Sequence, residues 1–411
     1  MEESTKYLLV GGGVASVWAA INIRERDKEG RILIVTNENH PPYDKPPLSK
    51  SYIAKDDVPI DDAYSKFDNF YPDNNIELRQ GHAATHVDRA GRSVALDNGD
   101  TIRYEKLLLA TGSDPRKLAL FGAELAGIHY LRTIDDANGI HEEAKSGRKA
   151  VLIGAGFLNM EVASGCLARG CQVTVLEQAD RPWGRLASVR LGDFLTRQYE
   201  LKGARLHFGE EVSGITGNGR VSSVQTKSGN SFDADFVVIA IGASLRTGLA
   251  KAAGLEMGSR DGVQVDEYLQ TSDPYIWAAG DIACFQDIAL GRRWHAEHHL
   301  NAKWQGRAVG AVMAGDRKPY NQVPYFFSDF LDLHMILRGD PAGSTEAESI
   351  ILGDLAKGEF VELYPGVAGR LRMGLAISHD EKTTDAISDK LEELIRAKAT
   401  VDGLNAGSFG L

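Results

Sequence analysis

The sequence predicts an α/β protein built from two Rossmann-like domains and a smaller C-terminal α+β domain. Three observations predict it. A strand, glycine turn, helix and second strand follow one another near the N-terminus; the same order returns about 143 residues later; and the texture changes after residue 323 to aromatic and alternating segments.

The first unit opens with the apolar run KYLLV (6–10), closed by Gly11, Gly12 and Gly13. An apolar helical pattern, VASVWAAINIRER (14–26), leads to the β-branched run RILIVT (31–36). The second unit reads KAVLI (149–153), Gly154-Ala155-Gly156, FLNMEVASGCLARG (157–170) and QVTVLE (172–177). A separation this long is not a solenoid period, so it reads as two domains of one kind. Between and after them lie alternating runs, SVALDNG and YEKLLLATG, and the stretch 223–242, with a hairpin turn at Ser228-Gly229-Asn230. The last region carries YFFSDF (325–330), the strand-like IILGDL and FVELYP, and a polar helix at 383–398.

Composition narrows the class. The chain has 411 residues, 43% hydrophobic and 25% charged, which suits two or three globular domains. It lacks the run of about 18 apolar residues that a membrane span needs. The N-terminus enters a strand at once and leaves no room for a signal peptide, so the expected location is cytoplasmic. A net charge of −11 argues against nucleic acid as a partner. The cysteines Cys166, Cys171 and Cys284 form no C-x-x-C pair and read as small buried side chains. No metal site is expected.

The glycine turns carry chemistry. In Gly11-x-Gly13-x-x-Ser16 the first glycine allows a tight turn, the second lets the backbone approach a pyrophosphate, and the small third residue lets helix and strand pack closely. The anion then sits at the helix N-terminus, beside Val14, Ala15 and Ser16, where free N–H groups favour it. A ribose acceptor is expected about 20 residues on, where Asn37 and Glu38 stand. The second loop, Gly154-x-Gly156-x-x-Asn159, is followed 21 residues after Gly156 by Glu177, a carboxylate that accepts from ribose hydroxyls and repels a 2′-phosphate. NADH is therefore expected over NADPH, with Arg181 and Arg185 leaving NADPH open. Two loops imply two dinucleotides, one a bound redox group and the other a diffusible hydride donor.

Further motifs carry a resemblance. They are Pro42-Tyr43-Asp44-Lys45-Pro46-Pro47-Leu48-Ser49-Lys50; Leu109-Ala110-Thr111-Gly112 followed by Pro115-Arg116; Thr271-Ser272-Asp273-Pro274 leading into Ala278-Ala279-Gly280-Asp281; and Glu297-His298-His299. With the glycine loops, these residues resemble the FAD-dependent pyridine nucleotide oxidoreductases of glutathione-reductase-like architecture. The closest likeness is to the ferredoxin reductases of oxygenase systems, with further similarity to apoptosis-inducing factor and monodehydroascorbate reductase. The resemblance implies an FAD-binding domain from 1–116 and 245–322, an NAD-binding domain at 117–244 and a C-terminal domain at 323–411. It implies that Gly280 and Asp281 hold the ribityl side of FAD. Lys45, Pro47, Ala83, Ala110, Thr111, Gly112, Arg132, Gly242, His298 and His299 would join the cofactor-lining set, with Phe157 and Leu158 on the nicotinamide side. His299 stands where oxygenase ferredoxin reductases usually carry tryptophan and apoptosis-inducing factor carries histidine. A catalytic pair, Lys50 with Glu161, is implied beside the flavin, where the ammonium steadies negative charge on the reduced ring.

The expected activity is NADH:ferredoxin reduction, in which hydride is taken from NADH and electrons pass singly to an iron–sulfur protein. Disulfide reductases of this architecture need a redox cysteine pair or a single cysteine near position 44, and residues 36–52 contain none. Arg292, Arg293, Lys303, Arg307, Arg317 and Lys318 are the candidate charges for an acidic protein partner. Two alternatives stand beside this activity: reduction of a quinone, a monodehydroascorbate-like radical or oxygen, and an NADH-sensing flavoprotein resembling apoptosis-inducing factor. Either a monomer or a homodimer fits.

Overall fold

The computed structural model describes residues 2–66, 69–184, 186, 188–341 and 349–411. The chain divides into two compact units. The first comprises Met1–Asp44, Ala63–Asp114 and Ser244–Pro324; the second comprises Lys45–Asp62, Pro115–Ala243 and Tyr325–Leu411.

The first unit is organised on a mixed seven-stranded sheet. Six strands run in the order Ile76–Arg79, Ile32–Val35, Glu2–Val10, Thr101–Leu109, Ser93–Leu96 and Ala84–Asp88, and Ile276–Ala278 joins beside Thr101–Leu109. The parallel strands are buried on both faces, which is why Leu8, Leu9, Leu33 and Ile34 form unbroken apolar runs. The opening strand is longer than the apolar run 6–10 suggests: its polar start pairs through the backbone with Thr101–Tyr104 of a nine-residue neighbour. Helix Val14–Arg26 packs against helix His299–Met313.

Among the described residues, the second unit holds three sheets. A five-stranded parallel sheet runs Arg205–Phe208, Gln172–Glu177, Lys149–Ile153, Phe236–Ile239, Ile128–His129, with helix Phe157–Ala168 following the third of these strands. An antiparallel sheet of Val212–Gly217, Val221–Thr226 and Ser231–Asp233 contains the expected hairpin, closed by Thr226 N donating to Asn230 O at 3.1 Å. The C-terminal α+β region is a five-stranded antiparallel sheet, from Tyr325–Phe330 to Ile350–Asp354, with helix Glu381–Arg396. That helix begins two residues before the periodic pattern because the Asp380 carboxylate caps it, accepting from the Lys382 and Thr383 N–H groups. Among the described residues, no helix is long and apolar enough to cross a membrane.

Candidate functional site

Each glycine loop opens on a residue whose backbone cannot take a side chain. Gly11 has φ +120°, and a Cβ there would lie 2.1 Å from Ala110 O. Gly154 has φ +96°, and its Cβ would lie 2.5 Å from Ala240 O. The N-cap glycines differ: among the described residues, nothing beyond their own stretch of chain lies within 4 Å of a Cβ built on Gly13 or Gly156. Both are helix N-caps, neither helix has a side-chain cap, and neither has an acid in its first turn. These are open, uncapped helix starts, and their chemistry fits a pyrophosphate.

The neighbouring residues complete each cradle. Ala15 and Ser16 are buried, Val14 is half-buried, and Ser16 Oγ has no hydrogen-bond partner among the described residues. Asn37 is exposed, whereas Glu38 accepts a short hydrogen bond from Tyr43 Oη. Both backbone groups of Ala83 engage Asp97: its N–H donates to the carboxylate at 3.1 Å and its carbonyl accepts from Asp97 N at 2.9 Å. Asp281 accepts from Ser113 Oγ at 2.7 Å, and Gly280 N donates to Gln305 Oε1 at 2.8 Å. Thr111 Oγ1 donates to Arg246 O at 2.6 Å, Ala110 N pairs with Val10 O, and Gly112 turns at φ +71°. His298 caps helix His299–Met313, and His299 Nε2 lies 3.9 Å from Asp44 Oδ1. Burial pushes the His299 imidazole below its ordinary value, against the pull of Asp44.

In the second unit, Asn159 explains the departure at the third loop position. It is buried, and its Nδ2 donates to Ile153 O (2.8 Å) and Gly154 O (2.9 Å), tying strand end to helix start where a smaller residue would simply pack. Glu177 grips the loop: Oε2 accepts from Ala155 N at 2.6 Å and Oε1 from Ala179 N at 2.8 Å. Arg181 pairs with Asp180 at 2.8 Å, and Arg185 lies outside the described residues. Phe157 is half-buried between Trp183 and Phe326, with ring centroids 4.4 and 4.2 Å away; Leu158 is half-buried beside it. Gly242 turns at φ +114° and accepts from Arg116 N, while Lys45 Nζ donates to Arg132 O at 3.1 Å. Pro47 lies in the short helix Pro46–Ser49 that leads to Lys50.

The expected Lys50–Glu161 pair is formed. Lys50 Nζ stands 2.9 Å from Glu161 Oε1 and 3.1 Å from Asp329 Oδ2, and 5.0 Å from the Phe327 ring centroid. Glu161 is buried and also accepts from Ser328 Oγ at 2.6 Å and from Ser49 Oγ. Sequence reading placed Ser49 in a motif without a role and missed Ser328 and Asp329. The signal for Ser328 and Asp329 is that strand Tyr325–Phe330 carries Ser and Asp within an otherwise aromatic run. The cysteines are all buried and free. Cys166 and Cys171 interact with one another, and Cys171 Sγ donates to Lys145 O.

Two open, uncapped glycine-loop helix starts and a buried Lys–carboxylate cluster have the make-up of a nucleotide-dependent oxidoreductase of the two-dinucleotide α/β class. The sequence profile of the pyridine nucleotide-disulphide oxidoreductase family matches residues 5–306, and the chain belongs to that family. It is 35% identical over 366 residues to the probable ferredoxin reductase CtmF of Castellaniella defragrans, covering 88% of this chain and 87% of the relative. It is 35% identical to the rhodocoxin reductase of Rhodococcus erythropolis, over 86% of this chain and 82% of that one. Among solved structures it matches the covalent putidaredoxin reductase–putidaredoxin complex with a TM-score of 0.90 at 28% identity, covering 99% of this chain and 96% of the other.

Proposed function

We propose that this protein is an FAD-dependent NADH:ferredoxin reductase, passing electrons from NADH to a small iron–sulfur or rubredoxin-type carrier protein. The observation that carries the reading is the pair of open, uncapped glycine-loop helix starts in a chain with no cysteine between residues 36 and 52. The relatives' names, reductases of ferredoxin and rhodocoxin, support the choice of acceptor. Gly11, Gly13, Ser16 and Asp281 are the residues we assign to FAD, and Gly154, Gly156 and Glu177 those we assign to NADH. When bound, FAD supplies the step from hydride to single electrons. Lys50, paired with Glu161, whose carboxylate also accepts from Ser49 and Ser328, is the cation we assign to the reduced ring. A cytoplasmic location goes with this reading and with three free thiols.

Stopped-flow reduction tests it. NADH is expected to bleach the flavin within the turnover time, and cytochrome c reduction is expected to depend on an added [2Fe–2S] ferredoxin or rubredoxin. Equal rates with a quinone and no carrier dependence would overturn the reading.

The same geometry predicts coenzyme choice. Replacing Glu177 with Ser removes the ribose acceptor and the brace on Ala155 N. The NADH-to-NADPH ratio of kcat/KM is expected to fall at least tenfold, about 1.4 kcal/mol. An unchanged ratio would show that Glu177 serves only as the brace.

A further inference from the structure

The cation assigned to the reduced ring is outnumbered where it stands. Lys50 Nζ lies between two carboxylates, 2.9 Å from Glu161 Oε1 and 3.1 Å from Asp329 Oδ2. One ammonium with two carboxylates leaves the cluster one negative charge in excess. Such an excess works against a cation that steadies negative charge on a ring. The two carboxylates differ in their surroundings. Glu161 is buried and accepts from two serine hydroxyls, whereas the Asp329 side chain is 40% exposed.

The second oxygen of Asp329 decides the balance. Oδ1 faces His334 Nδ1 at 2.8 Å. An ionised carboxylate only accepts, so Nδ1 carries the proton of this bond and Nε2 is the atom that gains or loses one. Nε2 makes no hydrogen bond among the described residues, and the side chain is 32% exposed, so water reaches the imidazole.

The fold holds the two residues together. Asp329 and His334 stand opposite one another on the antiparallel strands Tyr325–Phe330 and Leu333–Gly339. The turn between these strands is tied to the helix that carries Glu161: Leu331 N donates at 2.7 Å to Ser164 Oγ, one turn along from Glu161. The charges next to this turn are engaged elsewhere. Asp332 faces Lys202 and His379, each at 3.7 Å, and His379 lies against the carbonyls of Asp332 and Lys357 at 2.9 and 3.2 Å.

We propose that His334 is a positioning residue for hydride transfer: through Asp329 it sets the net charge around Lys50. The cluster carries one excess negative charge when the imidazole is neutral and none when it is protonated. An imidazole changes charge near neutral pH, so protonation of His334 strengthens the hold of Lys50 on negative charge at the ring. This rests on the reductase reading above and on the assignment of Lys50 to the reduced ring.

The test uses the FAD-loaded enzyme and two readouts: the rate of flavin bleaching at saturating NADH, and the midpoint potential of the flavin from dye equilibration. Hydride transfer from NADH takes up no proton, so a pH profile of the bleaching rate reports the cluster. In the parent the rate is expected to rise at least threefold from about pH 8 to about pH 6, and His334→Gln is expected to flatten that rise. Asp329→Asn keeps the shape and removes the excess charge. It is expected to raise the midpoint potential and to speed bleaching at least threefold on the alkaline side. If the two residues only brace the hairpin, Asp329→Asn should instead slow bleaching or leave it unchanged. A flat parent profile, a rise that persists in His334→Gln, or an Asp329→Asn potential at or below the parent value would each overturn the proposal while leaving the reductase reading intact. If NADH does not bleach the flavin of the unaltered enzyme, the reductase reading falls and the role of His334 with it.

Discussion

Gly11→Ala is expected to purify without the yellow colour of FAD and to unfold well below the parent. The new methyl group meets Ala110 O at 2.1 Å, and φ of +120° is a conformation that side chains with a Cβ rarely adopt. Backbone cannot move aside cheaply, so overpacking and strain together cost about 2–4 kcal/mol. Gly13→Ala is the informative contrast. It has an ordinary extended backbone and open space around the added atom, so the apoprotein should lose only about 0.5 kcal/mol, as at any helix cap. The space it fills is the one we assign to the pyrophosphate, and FAD affinity should fall at least tenfold. The two variants separate folding from binding through a thermal melt of the apoprotein and a flavin titration. Should Gly13→Ala keep parent affinity, the pyrophosphate does not sit at this helix start. Gly154→Ala and Gly156→Ala should divide in the same way, with the KM for NADH as the readout.

That contrast also indicates which parts of the site the sequence could disclose. Glycine loops are legible because their steric demands are local: strand end, turn and helix start lie within six residues, and spacing alone reports them. Asn159 and Glu177 were visible as residue types at the right distance. Their hydrogen bonds to Ile153 O, Gly154 O, Ala155 N and Ala179 N depend on how the strand ends line up, which spacing does not encode. The hydrogen bond from Tyr43 to Glu38 was likewise out of reach of spacing, although Tyr43 stands only five residues away. Long-range partners were the least legible. Ser328 reaches Glu161 across 167 residues of chain, and no spacing links Asp329 to Lys50. The elements themselves were read closely, since parallel strands buried on both faces leave unbroken apolar runs, whereas the polar start of strand Glu2–Val10 is held only by backbone pairing.

Lys50→Met should cost both stability and rate, and the two losses should separate in a double-mutant cycle. In the parent, Glu161 is buried and takes three contacts: the Lys50 ammonium and the hydroxyls of Ser49 and Ser328. Removing the ammonium leaves a buried carboxylate with two neutral donors, and breaking such a pair from one side costs about 3–5 kcal/mol. Glu161→Gln should cost less. Its amide oxygen still accepts from a serine, and Lys50 keeps the more exposed Asp329 at 3.1 Å as a counter-charge. Combining Lys50→Met with Glu161→Gln removes both charges together, so much of the stability lost in Lys50→Met should return, a coupling read from urea melts. The rate of flavin bleaching by NADH should not return. If the ammonium steadies charge on the reduced ring, every variant lacking it should be slowed at least tenfold, about 1.4 kcal/mol of barrier. A double variant that regains stability and also bleaches at the parent rate would assign the pair to holding strand Tyr325–Phe330 against helix Phe157–Ala168, with no part in hydride transfer.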